Sequence, residues 1–508
     1  MSSATPDFTA PATLKARRLR LFTQHESIIV MRTDCHVCRS EGLSARARVL
    51  LIAGDRQVHA TLFQVEGDDL IAPGEAALSE ETWRLLGAGE GDPILVRHAP
   101  ALASMASVRR RIYGNRLDEP ALQAIVTDVV AGRYTNVHLA AFLTATSALP
   151  FDEAEIVALT QAMVDAGDRL SWRTTTVIDK HCIGGLPGNR TTPIVVAIVA
   201  ACGLVAPKTS SRAITSPAGT ADTMETLAPV DLDLAAMRRV VEAEGGCVVW
   251  GGAVRLSPAD DIFIRVERVL DVDTEGQLIA SVLSKKIAAG STHVVLDIPV
   301  GPTAKVRSAD AGERLAERLS STAARFGLVA RCIQTDGSQP VGRGIGPALE
   351  AIDVLAVLQG HPDAPQDLRR RACMLAGVAL ELGGAVANGE GEALADAVLA
   401  DGRAWTKFQK ICEAQGGMRT PPRAPLQAPV SASRSGRVIH MNNRKIATLA
   451  KLAGAPDVKA AGLSLNVRLG DEVAAGDPFL FVHAETAGEL GYALDYANAN
   501  PDLIEIEA

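Results

Sequence analysis

Val177-Ile178-Asp179-Lys180-His181-Cys182-Ile183-Gly184-Gly185-Leu186-Pro187-Gly188-Asn189-Arg190-Thr191-Thr192-Pro193 is the stretch on which the fold turns. It reads as a strand over residues 174–178 ending at Asp179-Lys180, a glycine-rich loop, and a helix with Thr192 as N-cap and Pro193 at its first position. Outward from it, helical runs at 193–201 and 237–244 alternate with the β-branched run 247–250, and a strand at 293–300 resumes the pattern as far as about residue 417. That alternation predicts a parallel α/β sheet. Free N–H groups at the start of the helix, glycines that admit close backbone approach and Lys180 together suit a phosphate seat. The same glycines also fit a tight strand-to-helix turn in which they serve geometry alone.

A second segment, Lys208 to Asp222, holds six hydroxyls within twelve residues, beside Lys208 and Arg212. Hydroxyls and backbone N–H groups fix phosphate oxygens by direction, while Lys and Arg neutralise their charge, the Arg as a bidentate fork. A solvated Ser/Thr loop is the alternative. Both segments lie just beyond strand ends, where open α/β sheets place ligands. Two neighbouring anion seats predict a substrate with two phosphate-like groups.

The chain's 508 residues, 47% apolar and 22% charged, describe a globular protein with room for three or four domains. A net charge of -8 leaves no global field to collect nucleic acid or an anionic membrane. The longest apolar run, 13 residues at 194–206, is short of the roughly 18–20 that a spanning helix needs. No apolar region follows the early basic residues Lys15, Arg17, Arg18 and Arg20, and the eight cysteines are scattered, so a cytoplasmic address with reduced thiols is expected.

Four parts are expected: a small β domain (1–100), an α-helical bundle (101–172 and about 257–291), a phosphate-binding α/β domain (173–256 and about 292–420) and a C-terminal α+β domain (430–508) resembling a lipoyl-like hammerhead without its attachment lysine. Four prolines between residues 420 and 429 mark the last linker. The active-site cleft is expected between bundle and sheet.

The Lys180 to Gly185 and Ser210 to Glu225 segments, together with Ala280-Ser281-Val282-Leu283-Ser284-Lys285-Lys286, resemble the signatures of the thymidine and pyrimidine-nucleoside phosphorylase family. The likeness runs from about residue 105 to the C-terminus. Lys-His-Cys-Ile-Gly-Gly and Ser-Ser-Arg-Ala-Ile-Thr-Ser are closer to the long branch with an extra N-terminal domain, which includes AMP phosphorylases and type-2 thymidine phosphorylases. The resemblance implies cleavage of an N-glycosidic bond by inorganic phosphate, giving free base and a pentose 1-phosphate. It implies phosphate as co-substrate, no metal or organic cofactor, and a homodimer formed through the bundle. Carried over by position, it implies an inorganic phosphate seat at Lys180, Ser210 and Thr220. The implied nucleotide contacts are Gly185, Ser211, Arg212, Ala213, Ile214, Thr215, Ser216, Thr220, Ser281 and Lys305, with Asp273 as proton donor to the departing base. A donor Asp would need a raised pKa, and a turn at 271–276 is its plain alternative.

The sequence also departs from that pattern. Where pyrimidine-type enzymes carry an Arg that grips the base carbonyl, fifteen residues before Ser281, this chain has Val266, and Arg265 would project to the other side of an extended strand. A phosphate-contacting Ser is replaced by Cys182, a weaker donor. A nucleoside 5′-monophosphate is therefore the preferred substrate and thymidine the close rival. A magnesium-dependent phosphoribosyltransferase on the related anthranilate-type scaffold, or a non-catalytic nucleotide-binding regulator, are more distant readings. Cys35 and Cys38 form one CxxC, short of the two further ligands a structural zinc requires, and read as a β-turn with two thiols. Residues 271–282 fail as a calcium loop because Val282 stands where Glu is needed. Arg109-Arg110-Arg111 reads as a solvated helix face.

Overall fold

The computed structural model describes residues 13–213, 216–272 and 274–507. The chain divides into one unit of residues 1–109 and 128–138, and a second of residues 110–127 and 139–508.

In the first unit, strands β1 (Thr13–Arg18), β2 (Ile28–Arg32), β3 (Arg48–Ala53), β4 (Arg56–Val65), β5 (Glu75–Leu78) and β6 (Pro93–His98) close into a barrel in the order β1-β5-β2-β4-β3-β6. Closure satisfies every strand edge. Alternation fills the interior: Val58, Ala60 and Leu62 of β4 point inward with Leu14, Ile29, Met31, Val49 and Leu51. Cys35 and Cys38 lie at a helix start instead of a β-turn. Cys35 caps helix His36–Glu41, its Sγ accepting the Cys38 N–H at 3.1 Å. Residues 128–138 join this unit through Asp128, which accepts from Ser104 at 2.6 Å, and through the Gly132 carbonyl, which accepts from Arg48 at 2.9 Å.

The helical part of the second unit is organised by a buried charge. Asp152 and Glu155 form a capping box at the start of helix Glu153–Asp165, and Glu155 also accepts from Arg111 at 2.7 Å, Arg116 at 2.8 Å and the Leu117 N–H at 2.8 Å. Arg109 and Arg110 are exposed as expected. Arg111 is 1% exposed, a correction whose cause is this carboxylate, 44 residues distant in sequence. Phe142 packs on Phe151 and Phe263 at ring separations of 6.4 and 5.6 Å.

The sheet comprises β7 (Ile178–Cys182), β8 (Ala206–Ser210), β9 (Gly246–Trp250), β10 (His293–Val300) and β11 (Val329–Asp336). All run parallel, in ladders β11-β10-β7 and β8-β9; among the described residues these are joined by the isolated Val177/Val205 bridge just before β7 and β8. Helix Thr191–Ala201 is buried along nearly its whole length and forms the core of one face. Strand β7 is shifted four residues toward the C-terminus from its expected position. Asp179 and Lys180, read as the strand's end, are its interior: with His181 their backbones pair in register with β10. Helix Pro258–Leu270 replaces the extended strand expected around Val266. Proline at its first turn, acidic Asp260 and Asp261 there, and buried Phe263 and Val266 are helical signals.

The C-terminal part pairs Gly344–Ile345 with Gly462–Leu465, followed by Pro478–Ala484 and Leu426–Ser431. The proline-rich linker therefore ends before residue 426, and Pro429 sits on an edge strand, where its missing N–H is tolerated. Among the described residues, no helix is long and apolar enough to cross a membrane.

Replacing Glu155 by Ala leaves the buried Arg111 without its compensating carboxylate, with only the Leu149 and Asn115 carbonyls to accept from it. A loss of about 3–5 kcal/mol is expected, read as a lower urea midpoint of the second unit, and a midpoint equal to wild type refutes the role.

Candidate functional site

Strand β7 presents Lys180 beneath the glycine loop. The lysine is 2% exposed, and its Nζ donates to Thr191 Oγ1 at 2.7 Å and Thr192 Oγ1 at 3.3 Å. The helix begins two residues earlier than expected, at Thr191, with Arg190 in the cap position. Neither threonine therefore caps the helix; both hydroxyls face the ammonium. Gly185 has φ 96°, and a side chain there would meet the Lys305 backbone nitrogen at 3.1 Å, so the glycine lets two site loops touch.

The second loop is folded around Asp222. Its Oδ2 accepts the N–H groups of Ala213 at 2.6 Å and Gly219 at 3.0 Å. A Cβ on Gly219 would lie 2.7 Å from the Ser211 carbonyl oxygen, so the loop's two arms are in contact. Thr220 Oγ1 donates to the Asn189 carbonyl at 3.4 Å, joining this loop to the glycine loop. Arg212 does not offer its fork to the site. Glu225 takes it at 2.7 and 2.9 Å, the guanidinium stacks on Trp250 at 4.8 Å, and the hydrogen bond holds the Glu225 carboxyl down at about 2.

Two residues that the sequence reading passed over govern the electrostatics. Asp179, fully buried, lies 3.2 Å from Lys208 Nζ and 2.8 Å from Lys286 Nζ. Burial works to raise its carboxyl, but the two lysines outweigh that and hold it below the usual range. Burial and Lys208 push the Lys286 ammonium down to about 7 against the pull of Asp179. His181 is kept well below its usual range by burial and by Lys286, Lys208, Lys285 and Lys180, so its ring is neutral. Burial and then Asp297 push the Cys182 thiol up, so it remains protonated. A small cavity lies between β7, β8 and the helix from Thr191, where Asp179, Lys180 and Lys208 meet the aliphatic side chains of Ile178, Val195, Val196, Val199 and Ala206. The signal available in sequence was Lys286, a charge on the apolar stripe of Ile279, Val282 and Leu283.

Thr209, Ser210, Ser211, Gly251, Gly252, Leu256, Ser257, Asp261 and Lys285 line a pocket at the ends of β8 and β9. Lys285 Nζ bridges Asp260 Oδ2 at 2.6 Å and Ser281 Oγ at 3.2 Å, which brings Ser281 to the same place as Ser210 and Ser211. Crowding by the surrounding protein, then Asp260, pushes the Asp261 carboxyl up to about 6. Ser216 is buried. Ile214, Thr215 and Asp273 lie outside the described residues.

Hydroxyls, ammonium groups and a helix N-terminus converging at the C-terminal edge of a parallel sheet suit a reaction in which phosphate oxygens are held while charge redistributes on a sugar. Models of the glycosyl transferase family match the chain in both parts of this arrangement, the helical bundle domain at residues 107–167 and the a/b domain at 174–405. The chain belongs to this family. It is 71% identical to a protein named "Putative thymidine phosphorylase" from Chelativorans sp. (strain BNC1), over 97% of each chain. It is 63% identical to one of the same name from Tolumonas auensis, over 97% of this chain and 98% of that one. Relatives so similar over their full length make it an enzyme, a pentosyltransferase of the phosphorylase kind. In fold, it is similar to anthranilate phosphoribosyltransferase from Thermus thermophilus, with a TM-score of 0.50 and 24% identity over 61% of this chain and 99% of that one. The Saccharomyces cerevisiae enzyme gives 0.50 and 15% over 62% and 98%.

An anion arriving beside Lys286 should recharge it. Sulfate, which does not itself titrate near neutrality, is therefore expected to bind at pH 7.5 with uptake of part of a proton and to lose affinity as pH rises through about 7. Calorimetry in buffers of different ionisation enthalpy measures this; proton uptake that persists in Lys286→Met would refute the assignment.

Proposed function

We propose that the substrate is a nucleoside 5′-monophosphate, cleaved by inorganic phosphate to free base and pentose 1,5-bisphosphate. The observation that carries this reading is the make-up of the pocket: among the described residues, hydroxyls of Thr209, Ser210, Ser211 and Ser257, the Lys285 ammonium and the Asp261 carboxyl, pushed up to about 6, line it, and no arginine does. Hydroxyls beside an ammonium suit phosphate oxygens, whereas a pyrimidine carbonyl would call for the arginine that Val266 replaces. Val266 is itself buried on its helix. Thymidine is the alternative, favoured by the names of the relatives.

In this reading Lys180, with Thr191 and Thr192, holds the nucleophilic phosphate, assisted by Ser210 and Thr220. Ser211, Arg212, Ala213, Ile214, Thr215, Ser216, Gly185, Ser281 and Lys305 form the nucleotide's surroundings, Arg212 by shaping the loop through Glu225. Asp273 donates the proton to the leaving base. Phosphate supplies the nucleophile, so the enzyme needs neither metal nor organic cofactor and keeps full activity in EDTA. We place it in the cytoplasm, as a homodimer through the bundle.

Incubation with phosphate and a panel of AMP, CMP, UMP and thymidine decides between the substrates. Base release from a monophosphate at least tenfold faster than from thymidine is expected, and release from thymidine alone overturns the proposal. Lys180→Ala should lower turnover by on the order of 10²- to 10³-fold with the fold retained, by circular dichroism.

A further inference from the structure

Three loops that carry residues of the candidate site are tied to the C-terminal domain, each at a different contact. Leu186 of the glycine loop has φ 86°, a left-handed backbone rare for leucine, and its side chain is buried in one cluster with Met441, Ile446 and Leu463. Thr303, two residues before Lys305, accepts the Asn443 N–H at 3.1 Å and donates to the Met441 carbonyl at 3.3 Å. The third tie is electrostatic. Lys459 Nζ lies 3.1 Å from Asp222 Oδ1 and 3.0 Å from Glu225 Oε2.

That third contact reaches the hub of the second loop. Asp222 is 2% exposed, and its Oδ2 is fully engaged by the N–H groups of Ala213 and Gly219, the two ends of the turn that follows Ser211 and precedes Thr220. A buried carboxylate with one oxygen so committed needs a cation at the other. Arg212 stands farther off, at 3.5 Å, with its fork already on Glu225. The closer cation is Lys459, which comes from a different domain.

We propose that Lys459 is a positioning residue for pentosyl transfer: from the C-terminal domain it holds the Asp222 carboxylate, and through that carboxylate's two backbone hydrogen bonds it fixes Ala213 and Gly219 and with them the adjoining Ser211 and Thr220. Without the ammonium, Oδ1 turns toward Arg212 or solvent, and the Ala213 and Gly219 amides lose their common anchor. Ser211 then no longer meets the sugar substrate in a fixed arrangement. Lys180, Thr191 and Thr192 lie on other elements and keep their geometry, so of the phosphate seat only the assisting Thr220 adjoins the loosened turn. The effect therefore falls on the sugar substrate more than on inorganic phosphate.

The test is steady-state phosphorolysis by the full-length wild type, Lys459→Met and Lys459→Arg. The substrate is whichever of thymidine or the nucleoside monophosphates the wild type turns over best, so the outcome is independent of the nucleotide reading above. Lys459→Met is expected to raise KM for that substrate about tenfold, the loss of one charged hydrogen bond, while KM for phosphate and kcat stay within about threefold. Lys459→Arg should restore KM to within about twofold of wild type, since its guanidinium can meet the same carboxylate. A Lys459→Met enzyme with unchanged KM overturns the proposal. So does a loss of kcat that tracks a lower melting temperature and is not restored by Arg, the result of a merely structural residue.

Discussion

Asp179 is the carboxylate on which this architecture depends. Just before strands β7 and β8 the backbones meet at a single bridge, Val177 to Val205, and among the described residues no ladder joins the strands themselves. Across that gap Asp179 of β7 binds Lys208 of β8, and from the helical part Lys286 reaches the same carboxylate. One side chain thus holds two strands and a helix that backbone hydrogen bonds leave apart. The arrangement is tenable because each buried charge has a partner, and because lysines outnumber carboxylates there by an amount that an anionic substrate can offset.

From this constraint the rest of the site follows. The small cavity beside Lys180 and Lys208 lies between β7 and β8, and a separate pocket lies at the ends of β8 and β9. The lysine field keeps His181 neutral. Arg212 and Asp222 spend their charge on shaping a loop, which leaves hydroxyls and ammonium groups to meet ligand. The fold alone is shared with anthranilate phosphoribosyltransferases of low identity, so the chemistry rests on these side chains and not on the sheet.

Much of this could be read from residues in order. The glycines after Lys180 and the hydroxyl run after Lys208 announced two loops at strand ends, and alternation of apolar stripes announced the sheet and the barrel. Other features were hidden for identifiable reasons. Asp179 looks like the end of a strand because isolated Asp disfavours extended interior positions, yet two distant lysines make its burial favourable. Arg111 looks solvated until Glu155 arrives from another helix. The helix from Pro258 carried its own start signals, but a positional comparison with an arginine imposed an extended reading on it.

What the amino-acid sequence by itself determined is local: which segments are strand or helix, where glycine permits close approach, and which residues have the chemistry to hold phosphate. Only the tertiary structure decided which charges face one another. It assigned Arg212 to Glu225 rather than to a ligand, set Lys286 beside Asp179, and brought Lys459 from the C-terminal domain to Asp222 across 237 positions of chain. The reason is that Coulomb energies depend on distance and burial in space, and neither is encoded in the spacing of residues along a chain.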